Sequence, residues 1–346
     1  MKNKIFKSGI FNIGEILSEF RYCKLSKEWT LFAPERLLRP KDLNPNQSEA
    51  TSQEECPFDV HKEHLTPLGI AEIIQENEWK CRVVPNLYNA LSIDVEVQSS
   101  KDGFFDKFSG FGAHEVLIET PIHDKQMFDF DYNDFSNYLT LLQQRTQNLQ
   151  KDTRLAFLSI FKNQGENAGA SLSHAHTQLM AMPFLPKKME EEIAIKKRYF
   201  QEHKRALLDD LVYEEVNYQK NIVCENSDFV VYCPYASKFA FEVKIVSKKK
   251  LSSLVEFDAK DISALSDILH DFFQRFKRTL GVNVAFNMIL KNAPYRNYDL
   301  NTKEYFRFSI EILPRIYKTA GFELDSEIYI NVVLPEIAAQ AYKESL

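Results

Sequence analysis

The feature that most narrows how this chain can fold is an internal echo. The segment His114-Glu115-Val116-Leu117-Ile118 has a counterpart in Phe241-Glu242-Val243-Lys244-Ile245, and both alternate as half-buried strands do. A helical period follows each: Phe135, Tyr138, Leu139 and Leu142 in the first half, and Ile262, Leu265, Leu269, Phe272, Phe273 and Phe276 in the second. A strand then returns, Ala156–Asn163 against Ala285–Asn292, and both copies close on Lys-Asn. Strand, helix, strand thus occurs twice, which predicts an α+β protein built by duplication. The 346 residues suit two such units, 1–190 and 191–346. Pro186 to Glu215 has no Gly or Pro after Pro186 and reads as one long connecting helix, whereas the polar, proline-interrupted residues 40–56 read as an exposed loop.

Composition excludes several classes of function. With 44% hydrophobic residues and 27 Phe the chain can build a real core, so disorder is ruled out as its main state. A formal net charge of -6 gives no electrostatic footprint for nucleic acid or an anionic membrane, so any phosphate must be held locally. The N-terminus carries no apolar run of signal-peptide length, and nowhere do eighteen apolar residues follow one another, which predicts a cytoplasmic protein. The five cysteines form no Cys-x-x-Cys pair, leaving free thiols or a single metal ligand open.

The most informative segment runs from Asn163 to Gln178, Asn-Gln-Gly-Glu-Asn-Ala-Gly-Ala-Ser-Leu-Ser-His-Ala-His-Thr-Gln. Its small, glycine-bearing first part lets backbone N–H groups approach an anion closely. On a strand, residues two apart share a face, so His174, His176 and Gln178 line one side beyond that loop. A neutral imidazole beside a phosphate can attack phosphorus and split a transfer into two steps. The same pattern also suits a polar strand whose histidines are merely hydrogen-bonded.

Asn-x-Gly, Ala-Ser and Ser-His-x-His-x-Gln resemble the active-site segment of galactose-1-phosphate uridylyltransferases and their adenylyltransferase relatives, the transferase branch of the histidine-triad superfamily. Further segments resemble that family in order: Trp29–Arg36 with Arg39-Pro40, Cys56-Pro57-Phe58, Arg82–Tyr88, His114-Glu115-Val116 with Pro121-Ile122-His123, and Gly321-Phe322-Glu323-Leu324 with Tyr329-Ile330-Asn331. The resemblance implies tandem histidine-triad-like halves, each an antiparallel sheet with packed helices. It makes His176 the nucleophile that accepts a nucleoside monophosphate from a nucleotide sugar, with Gln178 bonded to the transferred phosphoryl group. Arg36, Arg39, Asn163 and Ser171 would complete the anion cradle, and Asn86 and Tyr88 would hold the nucleoside. Phe322 and Glu323 would hold a hexose phosphate, across the interface of a homodimer.

The family's zinc site uses a Cys-x-x-Cys pair and two histidines, and here the matching positions are Cys56, Asp59, His123 and His174. A carboxylate is an acceptable zinc ligand, so one tetrahedral site remains possible. His61 and His64 are near enough in sequence to stand in for Asp59. The positions of a second metal site read Ala206, Asp209, Lys250 and Ser309, of which only Asp209 is a credible ligand. No His follows His270, so the second half cannot be a nucleophilic site. The implied reaction is ping-pong nucleotidyl transfer, with UDP-glucose and a hexose 1-phosphate favoured. Two alternatives are an ADP-glucose phosphorylase-type adenylyl transfer and a silent nucleotide-binding protein.

Overall fold

A computed structural model describes residues 17–38, 56–296 and 302–345. Arg39 and all but the last residue of the expected 40–56 loop lie outside them. The chain runs through β1 (Glu19–Tyr22), β2 (Trp29–Phe32), β3 (Ala71–Gln75), β4 (Glu78–Pro85), the hairpin β5 (Ser99–Asp102) and β6 (Phe105–Phe108), and β7 (Ala113–Ile118). Helix α1 (Tyr132–Gln150) leads to β8 (Phe157–Gln164) and β9 (His176–Met182). Helices α2 (Lys187–His203) and α3 (Leu207–Tyr218) then precede β10 (Ile222–Glu225), β11 (Phe229–Tyr232) and β12 (Val243–Ser247). Helix α4 (Ala259–Leu280) is followed by β13 (Phe286–Lys291), β14 (Ser309–Pro314), β15 (Tyr329–Asn331) and α5 (Pro335–Lys343).

Ten of these strands join in one sheet in the order β10-β11-β12-β14-β13-β8-β9-β7-β4-β3, and every pairing in it is antiparallel. Read from the centre outward, the two halves repeat each other. In each, a hairpin precedes a third strand, a helix crosses over, and the last strand inserts beside the third. The halves meet where β8 pairs with β13, with Phe161 opposite Ile289.

Both crossing helices start in the same way. Asp131 caps α1 with Asp134 returning the bond, and Asp258 caps α4 with Asp261 returning it, each pair satisfying backbone donors that the first turn leaves open. The helices pack on one face of the sheet through an aromatic seam in which Phe135 stacks on Phe273 at 5.8 Å and Phe273 meets Phe286 at 5.8 Å. This seam accounts for much of the phenylalanine content and ties both halves into one core.

Three expectations need correction. First, the echo is real in topology but slipped by one residue in sequence. Leu117 faces the helices, and so do Val243 and Ile245, whereas Lys244 points to the other face, opposite Glu311. Lys162 is buried against Glu119, while Lys291 meets Glu192 on the outer face. A one-residue slip exchanges the two faces of a strand, so the shared Glu-Val and Lys-Asn are not structural equivalents. Second, β7 and β12 are buried on both faces: the Cys56–Phe58 segment covers Val116 and Ile118 on the side away from the helices, and Val246 of β12 packs with Leu208 and Val212. Third, the connecting helix is two helices. Lys204 takes a left-handed φ of 57° as C-cap of α2, and the turn lets Leu208 and Val212 pack against Ile222 and Val230.

Candidate active site

The loop between β8 and β9 is shaped by glycine. Gly165 and Gly169 have φ of +79° and +85°, values that disfavour other residues, and a Cβ on Gly165 would lie 3.0 Å from that of Ala285. Asn287 of β13 braces this loop, donating to Asn163 Oδ1 at 2.8 Å and to the Ala168 carbonyl at 2.9 Å. Asn163 is thereby oriented with its oxygen occupied. Ser171 is exposed on the same loop.

His176 opens β9 and is 5% exposed. Its Nδ1 lies 2.8 Å from the His174 carbonyl, an acceptor only, so Nδ1 carries the proton and Nε2 keeps its lone pair. Burial, with Lys162 adding to it, holds the imidazole below its ordinary pKa, so the ring is neutral at neutral pH. Phe58 packs edge-on against it with centroids 5.6 Å apart. Beneath the strand, Lys162 and Glu119 form a fully buried ion pair at 3.0 Å, and Thr177 donates to the same carboxylate at 2.7 Å.

Gln178, two residues on, presents its side-chain oxygen to His114 Nε2 at 3.0 Å. Ala90 N–H donates to the other ring nitrogen of His114 at 3.1 Å. Asn86 adjoins this group with its Nδ2 3.1 Å from His114 Nε2, and its Oδ1 accepts the Tyr88 N–H at 2.9 Å. Tyr88 itself is 87% exposed.

Cys56, Asp59, His123 and His174 converge so that their ligand atoms all lie within 4.8 Å of one another. His123 Nδ1 is 2.7 Å and His174 Nδ1 3.2 Å from Asp59 Oδ1, and Cys56 Sγ is 3.7 Å from His174 Nδ1. Burial raises the Asp59 carboxyl, but its contacts with His123 and His174 outweigh it and hold the group low. His174 Nε2 is 2.7 Å from the Thr120 carbonyl, which leaves Nδ1 for a ligand role. Bond lengths of about 2.0–2.3 Å in a tetrahedron give ligand separations of roughly 3.3–3.8 Å, a span that two of the three separations above meet to within 0.1 Å, with Asp59 and His123 closer together. The residues fit one divalent metal. His61 and His64 are exposed and outside the cluster, and it is the one such group among the described residues.

Other expected residues sit on other elements. Arg36 sits, part-exposed, in the turn Pro34–Leu38 after β2, in the small sheet where β2 pairs with β1 and β15. Phe322 is 47% exposed, and Glu323 accepts the Ala320 N–H at 3.0 Å, capping its own short helix. In the second half Glu311 lies opposite Ile289 as Gln178 lies opposite Phe161, with Ser309 two residues before it. That face is filled by a ladder of charges: Lys244–Glu311 at 2.8 Å, Glu311–Lys291 at 3.3 Å, Lys291–Glu192 at 3.0 Å and Glu192–Lys196 at 2.7 Å. Asp209, the residual second-site candidate, is held by both arms of the Arg307 guanidinium at 2.7 Å. Sequence reasoning did not assign His114, Asn287, Glu119 or Lys162.

Residues 11–186 match the family described as galactose-1-phosphate uridyl transferase, N-terminal domain. Over 335 residues the chain is 30% identical to the ADP-glucose phosphorylase of Arabidopsis thaliana, spanning 94% of this chain and 92% of the relative. The chain belongs to the galactose-1-phosphate uridylyltransferase family. Another member, the galactose-1-phosphate uridylyltransferase of Thermotoga maritima, is 26% identical over 336 residues, 95% of this chain and 99% of that one. The crystal structure of the Arabidopsis ADP-glucose phosphorylase with bound ADP-glucose is similar at a TM-score of 0.82 and 28% identity, covering 95% of this chain and 99% of that one. Residues 119–344 also match a family described only as a domain of unknown function (DUF4921). Within the uridylyltransferase family, Asp59 stands where the resemblance places a second thiol.

Proposed function

We propose that this nucleotidyltransferase moves a nucleoside monophosphate from a nucleotide sugar onto a phosphate acceptor through a covalent intermediate on His176. The observation that carries the reading is the tautomer: Nδ1–H is engaged by the His174 carbonyl, so the Nε2 lone pair is the one available for attack. Nε2 attacks the α-phosphorus, the P–N bond forms, and the pyrophosphate P–O bond breaks with its electrons on the departing sugar 1-phosphate. An oxygen of the incoming sugar 1-phosphate or phosphate then attacks the same phosphorus and returns the electron pair to His176. Gln178, Asn163, Ser171, Arg36 and Arg39 offer neutral or positive partners to the charge that builds on the phosphoryl oxygens. Gln178 is neutral and cannot serve as a general acid, which suits an intermediate that waits for a phosphate rather than for water. In the same reading Asn86 and Tyr88 hold the nucleoside, Phe322 and Glu323 the hexose phosphate in a homodimer, and residues 1–190 form the reactive unit.

The metal of this reading is zinc, held by Cys56, Asp59, His123 and His174. Its contribution is structural: it would bind the Cys56–Asp59 loop to the strand end whose carbonyl orients His176.

Two donors compete. Uridylyl transfer between UDP-glucose and galactose 1-phosphate is the reading that the sequence favours. Likeness to the ADP-glucose phosphorylase at 30% identity supports adenylyl transfer from ADP-glucose as the second. Incubation with each donor, followed by intact mass and peptide mapping, decides between them. The expected result is an acid-labile uridylyl or adenylyl adduct on His176, absent in His176→Asn. An adduct on His174, or none with either donor, refutes the assignment.

A further inference from the structure

We propose that His114 is a positioning residue that holds the Gln178 carboxamide with its NH2 group turned toward the transferred phosphoryl, an inference that rests on the role given to Gln178 above. The argument is one of hydrogen-bond parity. A backbone N–H can only donate, so the Ala90 N–H at 3.1 Å makes His114 Nδ1 an acceptor and places the ring proton on Nε2. Two side chains face that proton. Asn86 is not an acceptor there, because its oxygen already takes the Tyr88 N–H and its Nδ2 is the atom 3.1 Å from the ring. Gln178 Oε1, at 3.0 Å, is the acceptor.

That bond removes the freedom of the amide to flip. With the oxygen pinned to His114, the NH2 group points away from it, and a phosphoryl oxygen meets a donor rather than a like partial charge. His114 is also tied to the loop of Asn86 and Ala90 through its own carbonyl, which accepts the Asn86 N–H at 2.9 Å. One residue therefore links the loop given to the nucleoside with the amide given to the phosphoryl group.

Full-length His114→Leu, His114→Gln, Gln178→Ala and the His114→Leu/Gln178→Ala pair test this, assayed with whichever of ADP-glucose plus phosphate or UDP-glucose plus galactose 1-phosphate the wild type turns over. His114→Leu is expected to lower kcat by about 10- to 100-fold with a smaller change in KM. His114→Gln should recover most of that loss, because its amide N–H can donate to Gln178 Oε1. In the Gln178→Ala background, His114→Leu should cost nothing further, the signature of action through Gln178. Thermal melting of each variant reports folding separately. A wild-type kcat in His114→Leu, no recovery in His114→Gln at an unchanged melting temperature, or multiplying losses in the double variant overturns the inference and leaves the His176 reading intact. A Gln178→Ala enzyme with wild-type kcat, or no adduct on wild-type His176, overturns the functional reading and this inference with it.

Discussion

Replacing Lys162 by methionine isolates the buried charge beneath His176. Lys162 Nζ sits 3.1 and 3.0 Å from the two oxygens of Glu119, and both side chains are essentially inaccessible to water. At 3 Å and an effective dielectric of about 20 the attraction is roughly 5–6 kcal/mol, set against a desolvation cost of several kcal/mol for each ion. Burial wins on the lysine side, since the ammonium is held below its ordinary pKa despite the carboxylate. The pair is therefore poor as a net stabiliser and costly to break. Lys162→Met leaves Glu119 buried with only the Thr177 hydroxyl and should destabilise the fold by about 3–5 kcal/mol. With a urea m-value of about 3 kcal/mol/M, the midpoint falls by roughly 1–1.7 M. The double variant Glu119→Leu/Lys162→Met removes both charges, and Thr177 keeps the Tyr138 hydroxyl at 3.1 Å, so most of the loss should return. Urea unfolding followed by fluorescence gives all three midpoints. An unchanged midpoint in Lys162→Met, or a double variant no better than the single, refutes the reasoning.

Elemental analysis of dialysed protein should find at most one zinc per chain, lost in Cys56→Ala, because Arg307 already occupies the Asp209 carboxylate. Two metals per chain would contradict this. For Glu242, burial, with Glu311 adding to it, pushes the carboxyl up to about 7 from 4.5. The folded state thus binds more protons than the unfolded one between those values, and stability falls as pH rises through them, by at most about 3 kcal/mol. Glu242→Gln should flatten that part of the profile of urea midpoint against pH, and an unaltered slope would show that the carboxyl titrates normally.

How much was legible follows from which forces act locally. The doubled strand-helix-strand order was readable because each element carries its own period. The facing of those strands was not, since register is decided by pairing and by which side meets the helices. Val243, not Lys244, fills the place on the core side that the echo gave to Val116, and only the sheet shows it. The four metal-site residues could be named from motif resemblance, and the structure gathers atoms from positions 56 to 174 into one cluster. His114 sat in plain view within a quoted motif, yet its value lies in a hydrogen bond to Gln178 across two strands, which no local pattern encodes. Phe322 and Glu323 lie on a short helix just before β15, which belongs to the small sheet with β1 and β2 and not to the sheet that carries β9. The break at Lys204 had no Gly or Pro to announce it, and was set by where Leu208 had to be buried.

The seam between β8 and β13 has a consequence for how the two halves depend on each other. Separated, each half would expose a central strand, eight residues long in β8 and six in β13, with its whole hydrogen-bonding edge unpaired. Such an edge templates association, and the surface that fits β8 best is another antiparallel strand of the same kind. The molecule can be regarded as a tethered dimer. The tether makes the meeting of the halves independent of concentration, and it lets the second half, lined by a ladder of fixed charges, supply Asn287 to the glycine loop of the first.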